Sequence, residues 1–165
     1  MTTIAYDSDT GVIASDSQET GYGGEKYNCK KLYKVGDYII ATAGGTYAGM
    51  AFVRWFEEWD GEPDWSDHPD LINLDLDEDF ECLVVKNDGT CFTVNRLFVP
   101  VAQNGNKYVT LGSGGSAARG AMMAGATPKE AVEIAKKVDT YTGGRVQVLK
   151  SADFILPSKT SPRGL

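Results

Sequence analysis

Apolar and polar positions alternate in short runs through most of the first 110 residues, with turn-forming residues between the runs. Residues 2–6 and 11–15 flank Ser8-Asp9-Thr10-Gly11, a turn composition that predicts a first hairpin. Residues 32–35 and 38–42 flank Gly36-Asp37, and residues 80–86 and 90–94 flank Asn87-Asp88-Gly89. Further strand-like runs cover 96–101 and 107–111. Strands joined by such short turns predict a largely antiparallel sheet.

The period changes at Ala48. Ala48, Ala51, Phe52, Trp55, Phe56 and Trp59 recur at i, i+3, i+4, i+7, i+8 and i+11, one broad apolar stripe on a helix that should lie against a sheet. A second helix is predicted after Gly112-Ser113-Gly114-Gly115, with Ala118, Ala121 and Met122 on one face and an interruption at Gly125. A third starts where Thr127 can cap, Pro128 suits the first turn and Glu130 can return the capping-box bond. Ala131, Ile134, Ala135 and Val138 continue its buried face. Tyr141-Thr142-Gly143-Gly144 then turns the chain into a strand at 145–149, and a last short run covers 153–156 before a polar tail at 157–165. Two sheets' worth of short strands with helices grouped between them make an α+β domain spanning residues 1–165.

Composition narrows the function. At 165 residues, 42% hydrophobic and 24% charged, the chain is long enough to bury a sizeable core. It has no apolar run near the ~18 residues of a membrane span, and its start lacks the basic and apolar regions of a signal peptide. A cytoplasmic protein without a membrane partner is expected. Cys29, Cys82 and Cys91 are odd in number, lack C-x-x-C spacing and have only His68 as an imidazole partner, which argues against a disulfide framework or structural zinc. The net charge of −7 disfavours a nucleic-acid surface, yet residues 57–81 hold 12 of the 23 acids and no Lys or Arg, leaving 16 basic against 11 acidic residues elsewhere. The acidic loop at 60–79 reads as a solvated surface excursion. Within it Asn73, Asp75 and Asp77 alternate as calcium ligands would, but the sixth position is Glu78 rather than Gly and the twelfth is Val84 rather than Glu.

His68 lies in that loop and reads as exposed, which removes imidazole-based triads, and no G-x-S-x-G, Walker A or H-E-x-x-H sequence occurs. Gly112-x-Gly114-x-x-Ala117 follows a strand and opens a helix as a dinucleotide fingerprint does. The acidic residue about 20 positions further on is missing, so a tight strand-to-helix turn is the better reading and a dinucleotide-binding protein a distant one. The N-terminus offers chemistry that needs no histidine. Thr2 is small enough for Met1 to be removed, leaving a hydroxyl and a free α-amine on one residue. An α-amine, which ordinarily titrates at about 7.7 to 8.0, is partly unprotonated near neutrality and can take the hydroxyl proton.

Thr2-Thr3-Ile4, Asp16 in the run from Gly11 to Gln18, Lys30-Lys31-Leu32, Ala43-Gly44-Gly45-Thr46, Gly112-Ser113-Gly114 and Asp139-x-Tyr141-Thr142-Gly143-Gly144 follow in an order and spacing that resembles the proteasome β-subunit family, including its HslV-like bacterial branch. The resemblance covers residues 2–149 and implies the four-layer αββα sandwich of N-terminal-nucleophile hydrolases, with no cofactor and no metal. It implies a threonine endopeptidase in which Thr2 Oγ is the nucleophile and the Thr2 α-amine its base. Lys31 would lower both pKa values, Asp16 would orient Lys31, and the Gly44 N–H would face the oxyanion. Ser113 and Asp139 would hold the amine and its water, while Lys30 is left in solvent. Cys29, Thr20 and Tyr47 neighbour Gly44 and Lys31 as candidates for the specificity pocket. The resemblance further implies a polypeptide substrate, a homo-oligomeric ring and an ATP-dependent unfoldase as partner. The chain departs from the family where the acidic loop replaces a second helix antiparallel to the first. A non-catalytic assembly or binding subunit of the same fold is the alternative, and an acyl-transfer enzyme acting on a non-peptide amide would carry the same nucleophile.

Overall fold

Side chains that alternate between two buried faces organise the computed structural model, which describes residues 1–70 and 79–151. One sheet has the order β10-β1-β2-β11, built from Ile4–Asp7 (β1), Val12–Ser15 (β2), Tyr108–Leu111 (β10) and Gln147–Lys150 (β11). The other has the order β5-β6-β7-β8-β9, from Leu32–Val35, Tyr38–Gly44, Phe80–Lys86, Cys91–Asn95 and Val101–Ala102. Every pairing within the described residues is antiparallel, as the short turns predict. A separate hairpin of Gln18–Thr20 (β3) and Lys26–Asn28 (β4) has too few apolar positions for its alternation to be read from sequence.

The period of two decides which cluster each residue joins. Ile39, Ala41 and Ala43 of β6 meet Ile4, Tyr6, Ile13, Val109 and Leu111 between the two sheets, whereas Ile40 points the other way. There Ile40 meets helix α1, Thr46–Glu58, through Phe52, Val53 and Phe56. On the far side of the first sheet, Ala5 and Ala14 face Ala118 and Met122 of α2, Gly115–Met123, and Ala131, Val132 and Ala135 of α3, Pro128–Val138. Sheets covered on both faces explain near-continuous apolar runs such as Tyr38-Ile39-Ile40-Ala41.

The capping box of α3 forms as its sequence predicts: Thr127 Oγ1 accepts from the Glu130 N–H at 3.2 Å and Glu130 Oε1 accepts from the Thr127 N–H at 2.9 Å. Its buried face is rotated from the expected one. Ile134 and Val138 are 40% and 70% exposed, while Ala131, Val132 and Ala135 are buried. The smaller face lets α3 approach the alanines of β1 and β2 closely, and this contact outweighs the larger apolar side chains. Residues 96–100 are not a strand; Asn95 ends β8, the chain turns, and only Val101–Ala102 pairs again. The turn carries Phe98 at φ +56° into the cluster beneath α1.

His68 is likewise not the exposed residue expected: it is half-buried and stacked on Phe98 with ring centroids 4.5 Å apart. Nor is the start of the acidic loop wholly solvated. Trp65 packs on Phe52, Trp55 and Phe56, and the Trp55 indole N–H donates to the Asp67 carbonyl at 2.6 Å. The calcium-like positions 73, 75 and 77 and the runs at 153–156 and 157–165 lie outside the described residues. Among the described residues no helix is long and apolar enough to cross a membrane, and no cluster of His, Cys, Asp and Glu is arranged to hold a metal.

Phe52 is the hub of the α1 layer, with five aromatic rings at centroid distances of 5.5 to 6.3 Å. Phe52→Ala is expected to cost about 3–5 kcal/mol, read from denaturant unfolding followed by circular dichroism.

Candidate active site

β1 begins just after Thr2, and the paired strands around it bring together residues distant in sequence. Asp16 follows β2, and Lys31 precedes β5. Thr2 is 2% exposed, Asp16 is fully buried and Lys31 is 3% exposed. The Lys31 ammonium donates to Thr2 Oγ1 at 2.9 Å, to Asp16 Oδ1 at 3.0 Å, to the Gln18 carbonyl at 2.6 Å and to the Met1 carbonyl at 2.9 Å. Three N–H bonds thus serve four acceptors, so at least one proton is shared.

Asp16 is held by more than Lys31. Its Oδ1 accepts from the Thr3 N–H at 3.0 Å, and its Oδ2 accepts from Gly143 N–H at 3.0 Å and Gln18 N–H at 3.3 Å. A buried carboxylate with one ammonium and three amide donors has its charge compensated from both oxygens, the condition under which burial of an ion pair is tolerated.

A second polar chain reaches Thr2 from the other side. Ser113 Oγ donates to Asp139 Oδ2 at 2.5 Å and lies 3.5 Å from the Thr2 carbonyl. Thr142 Oγ1 donates to the same Asp139 oxygen at 2.6 Å and is 2.7 Å from Thr3 Oγ1. Burial alone would raise the Asp139 carboxyl pKa, but the Ser113 and Thr142 hydroxyls and the Tyr141 N–H together hold it below the usual value. The Met1 amine is shifted down, first by burial and then by the nearby Lys31 charge.

Gly44 ends β6 at φ +91°, where a Cβ would run into the Asp79 carbonyl oxygen. It borders two depressions that meet at Thr2. One is an open groove of about 720 Å³ whose walls include Met1, Gly44, Phe80, Leu97 and Ser113. The other is narrow, with room of about 10 Å³ among Glu19, Cys29, Tyr33, Thr42 and Thr46. Cys29 lines this depression, whereas Thr20 and Tyr47 do not. Gly112, at φ +88°, passes so close to the Thr2 carbonyl that any side chain would displace it. That close approach, rather than room for a pyrophosphate, accounts for the glycine pattern.

All six expected site residues, Thr2, Asp16, Lys31, Gly44, Ser113 and Asp139, surround the start of β1. Lys30 points to solvent over the Tyr33 ring. Thr3, Gln18, Thr142 and Gly143 join the network without having been singled out. Thr142 and Gly143 lie in the quoted Asp139 motif, but their partners Thr3 and Asp16 are more than 120 residues away.

No protein-family model and no curated protein matches the chain. Solved structures do. HslV from Trypanosoma brucei superposes with a TM-score of 0.69 at 20% identity, covering 90% of this chain and 99% of that one. BPH from Thiobacillus denitrificans in complex with epoxomicin gives 0.70 at 21% identity, covering 91% and 99%. The chain has the HslV-like proteasome β-subunit fold. The same fold extends to the Gly-1 mutant of Anbu from Hyphomicrobium sp. strain MC1, with a TM-score of 0.64 at 13% identity, covering 91% of this chain and 81% of that one. In this HslV-like chain the shared architecture is consistent with β1 opening directly into the polar cluster.

Asp16→Asn leaves the Lys31 ammonium buried without its counter-charge and is expected to cost about 3 kcal/mol in denaturant unfolding. Because the folded-state pKa of Asp139 is depressed, its contribution is present above the unfolded value of about 3.9 and is lost as pH falls through the folded one. The stability advantage of the wild type over Asp139→Asn, measured at neutral pH, should therefore shrink as pH is lowered below about 4.

Proposed function

We propose that the protein is a threonine-type endopeptidase acting on peptides or unfolded polypeptides, with Thr2 as its N-terminal nucleophile after Met1 is removed. The observation that carries this reading is the 2.9 Å approach of the Lys31 ammonium to Thr2 Oγ1, inside a buried ion pair with Asp16. Removal of Met1 also takes away one of the four acceptors around Lys31, leaving three acceptors for three protons. The freed amine is then born beside Lys31 and within reach of the Ser113–Asp139 pair.

In this mechanism Thr2 Oγ attacks the scissile carbonyl carbon as its proton passes to the α-amine, directly or through a water. Lys31 favours the ionised hydroxyl and disfavours a protonated amine, and Asp16 fixes the position of Lys31. The Gly44 N–H stabilises the oxyanion, where a donor fixed in advance needs no reorganisation. The amine then gives its proton to the leaving nitrogen, an ester remains on Thr2, and a water activated by the same amine hydrolyses it. Ser113 and Asp139 orient the amine and that water.

The three apolar clusters, one between α1 and the five-stranded sheet, one between the sheets and one beneath α2 and α3, support the four-layer αββα reading; we read residues 1–165 as a single domain. The working form we propose from the sequence resemblance is a homo-oligomeric ring fed by an ATP-dependent unfoldase, without cofactor, and the location we propose from the sequence is the cytoplasm. The alternative is a non-catalytic subunit of the same fold.

Intact mass before and after incubation with a peptide epoxyketone, which needs both a hydroxyl and a free α-amine for double addition, separates the two. Loss of Met1 with a stoichiometric adduct is expected; a processed chain with no adduct would establish the non-catalytic reading, and a retained Met1 with no adduct would point to that reading or to an unprocessed precursor. Thr2→Ala should keep the circular dichroism of the wild type, form no adduct and lower peptide turnover by at least about a thousandfold.

A further inference from the structure

The Lys31 side chain is held by the polar cluster, but its backbone is held by a residue that the proposed reaction does not use. Gln147 lies on β11 opposite Ser15 of β2 and is half-buried. Its Oε1 accepts from the Lys31 N–H at 3.1 Å, and its Nε2 donates to the Cys29 carbonyl at 3.4 Å. Ser15 Oγ stands 3.5 Å from the same Oε1. An N–H needs an acceptor and a carbonyl needs a donor, so the two backbone partners fix which way round the amide sits.

This amide joins the two sheets at the ion pair. β2 and β11 belong to the four-stranded sheet, and Asp16 directly follows β2. Lys31 directly precedes β5 of the five-stranded sheet, and its carbonyl accepts from the Thr42 N–H of β6 at 2.9 Å. The backbone of Lys31 therefore has its C=O bonded to one sheet and its N–H bonded to a side chain from the other. Lys31 is 3% exposed, so an N–H that loses this acceptor has little water to turn to. A drift of about 1 Å in this backbone is enough to take the 2.9 Å contact with Thr2 Oγ1 and the 3.0 Å contact with Asp16 Oδ1 beyond hydrogen-bonding distance.

We propose that Gln147 is a positioning residue for Lys31: its amide clamps the backbone at Cys29 and Lys31 to the strand beside Asp16, and so sets where the Lys31 ammonium lies relative to Thr2 Oγ1. Gln147 touches neither Thr2 nor a substrate and acts through Lys31 alone. The charges facing the N-terminal amine are Lys31, which lowers its pKa, and Asp16, Glu19 and Asp139, which raise it. In the peptidase reading, on which the kinetic test rests, that amine accepts the Thr2 proton only when unprotonated. A Lys31 that moves away leaves the three carboxylates dominant, and the pH at which the site becomes reactive rises.

The test is the pH profile of inactivation by a peptide epoxyketone, followed by intact mass. Gln147→Met keeps the length of the side chain without either bond; its profile midpoint should move up by about half a unit to one unit, with the rate near neutrality falling about three- to tenfold. Gln147→Asn keeps the amide one methylene short of its partners, should shift the midpoint the same way, and carries the test if Gln147→Met does not fold. Phe52→Leu, which loosens only the α1 layer, should keep the wild-type midpoint. An unchanged midpoint in the folded Gln147 variant, or an equal shift in Phe52→Leu, overturns the proposal. Absence of an adduct on the processed wild type is instead a failure of the peptidase reading, and the clamp is then read from hydrogen exchange of the Lys31 amide in the ¹⁵N-labelled full chain. That exchange should be at least about tenfold faster in the Gln147 variant than in the wild type and Phe52→Leu, and equal exchange overturns the proposal.

Discussion

A lysine ammonium buried against a carboxylate is the constraint on which the rest of this structure depends. Removing Lys31 and Asp16 from water is costly, and the cost is offset only if every remaining donor and acceptor around them is matched. The matching groups come from the N-terminal segment, the end of β2, the turn before β5 and the Gly143 turn. Satisfying one ion pair therefore fixes the relative positions of four chain segments, and Thr2 is held among them as a consequence.

The two halves of the molecule solve different packing problems. The half that carries the polar network uses small residues, with alanines on β1, β2, α2 and α3 letting helices lie close to the sheet. The α1 half uses large aromatic rings around Phe52, with Trp65 and Phe98 brought in by irregular segments. Aromatic side chains from a loop and a turn complete the cluster against α1. Close alanine contacts keep backbone positions near Thr2 well defined, while the aromatic layer tolerates an irregular covering segment.

Much of this was legible in the sequence because local signals and tertiary demands agreed. The α1 stripe, the Thr127 capping box and the hairpins at Gly36-Asp37 and Asn87-Asp88-Gly89 all form where the pattern placed them. The signals failed where tertiary contacts overrode hydrophobicity. Ile134 and Val138 look like core residues by size, but the sheet beneath α3 accepts only its alanine face. Residues 96–100 are apolar enough for a strand, yet Phe98 is needed under α1 and the chain bends to deliver it. The polar network was half legible: Thr2, Asp16 and Lys31 stand in motifs, whereas the Thr3–Thr142 and Asp16–Gly143 contacts join chain ends whose proximity no local pattern records.

The uneven distribution of aromatic side chains has an optical consequence. All three tryptophans, at 55, 59 and 65, lie in or beside the cluster under α1, and none borders the Thr2 groove or the β1–β2 sheet. Indole emission from this protein accordingly reports on one layer alone. Events in the alanine-packed half, including any rearrangement of α2 and α3, are spectroscopically dark unless they are transmitted through both sheets.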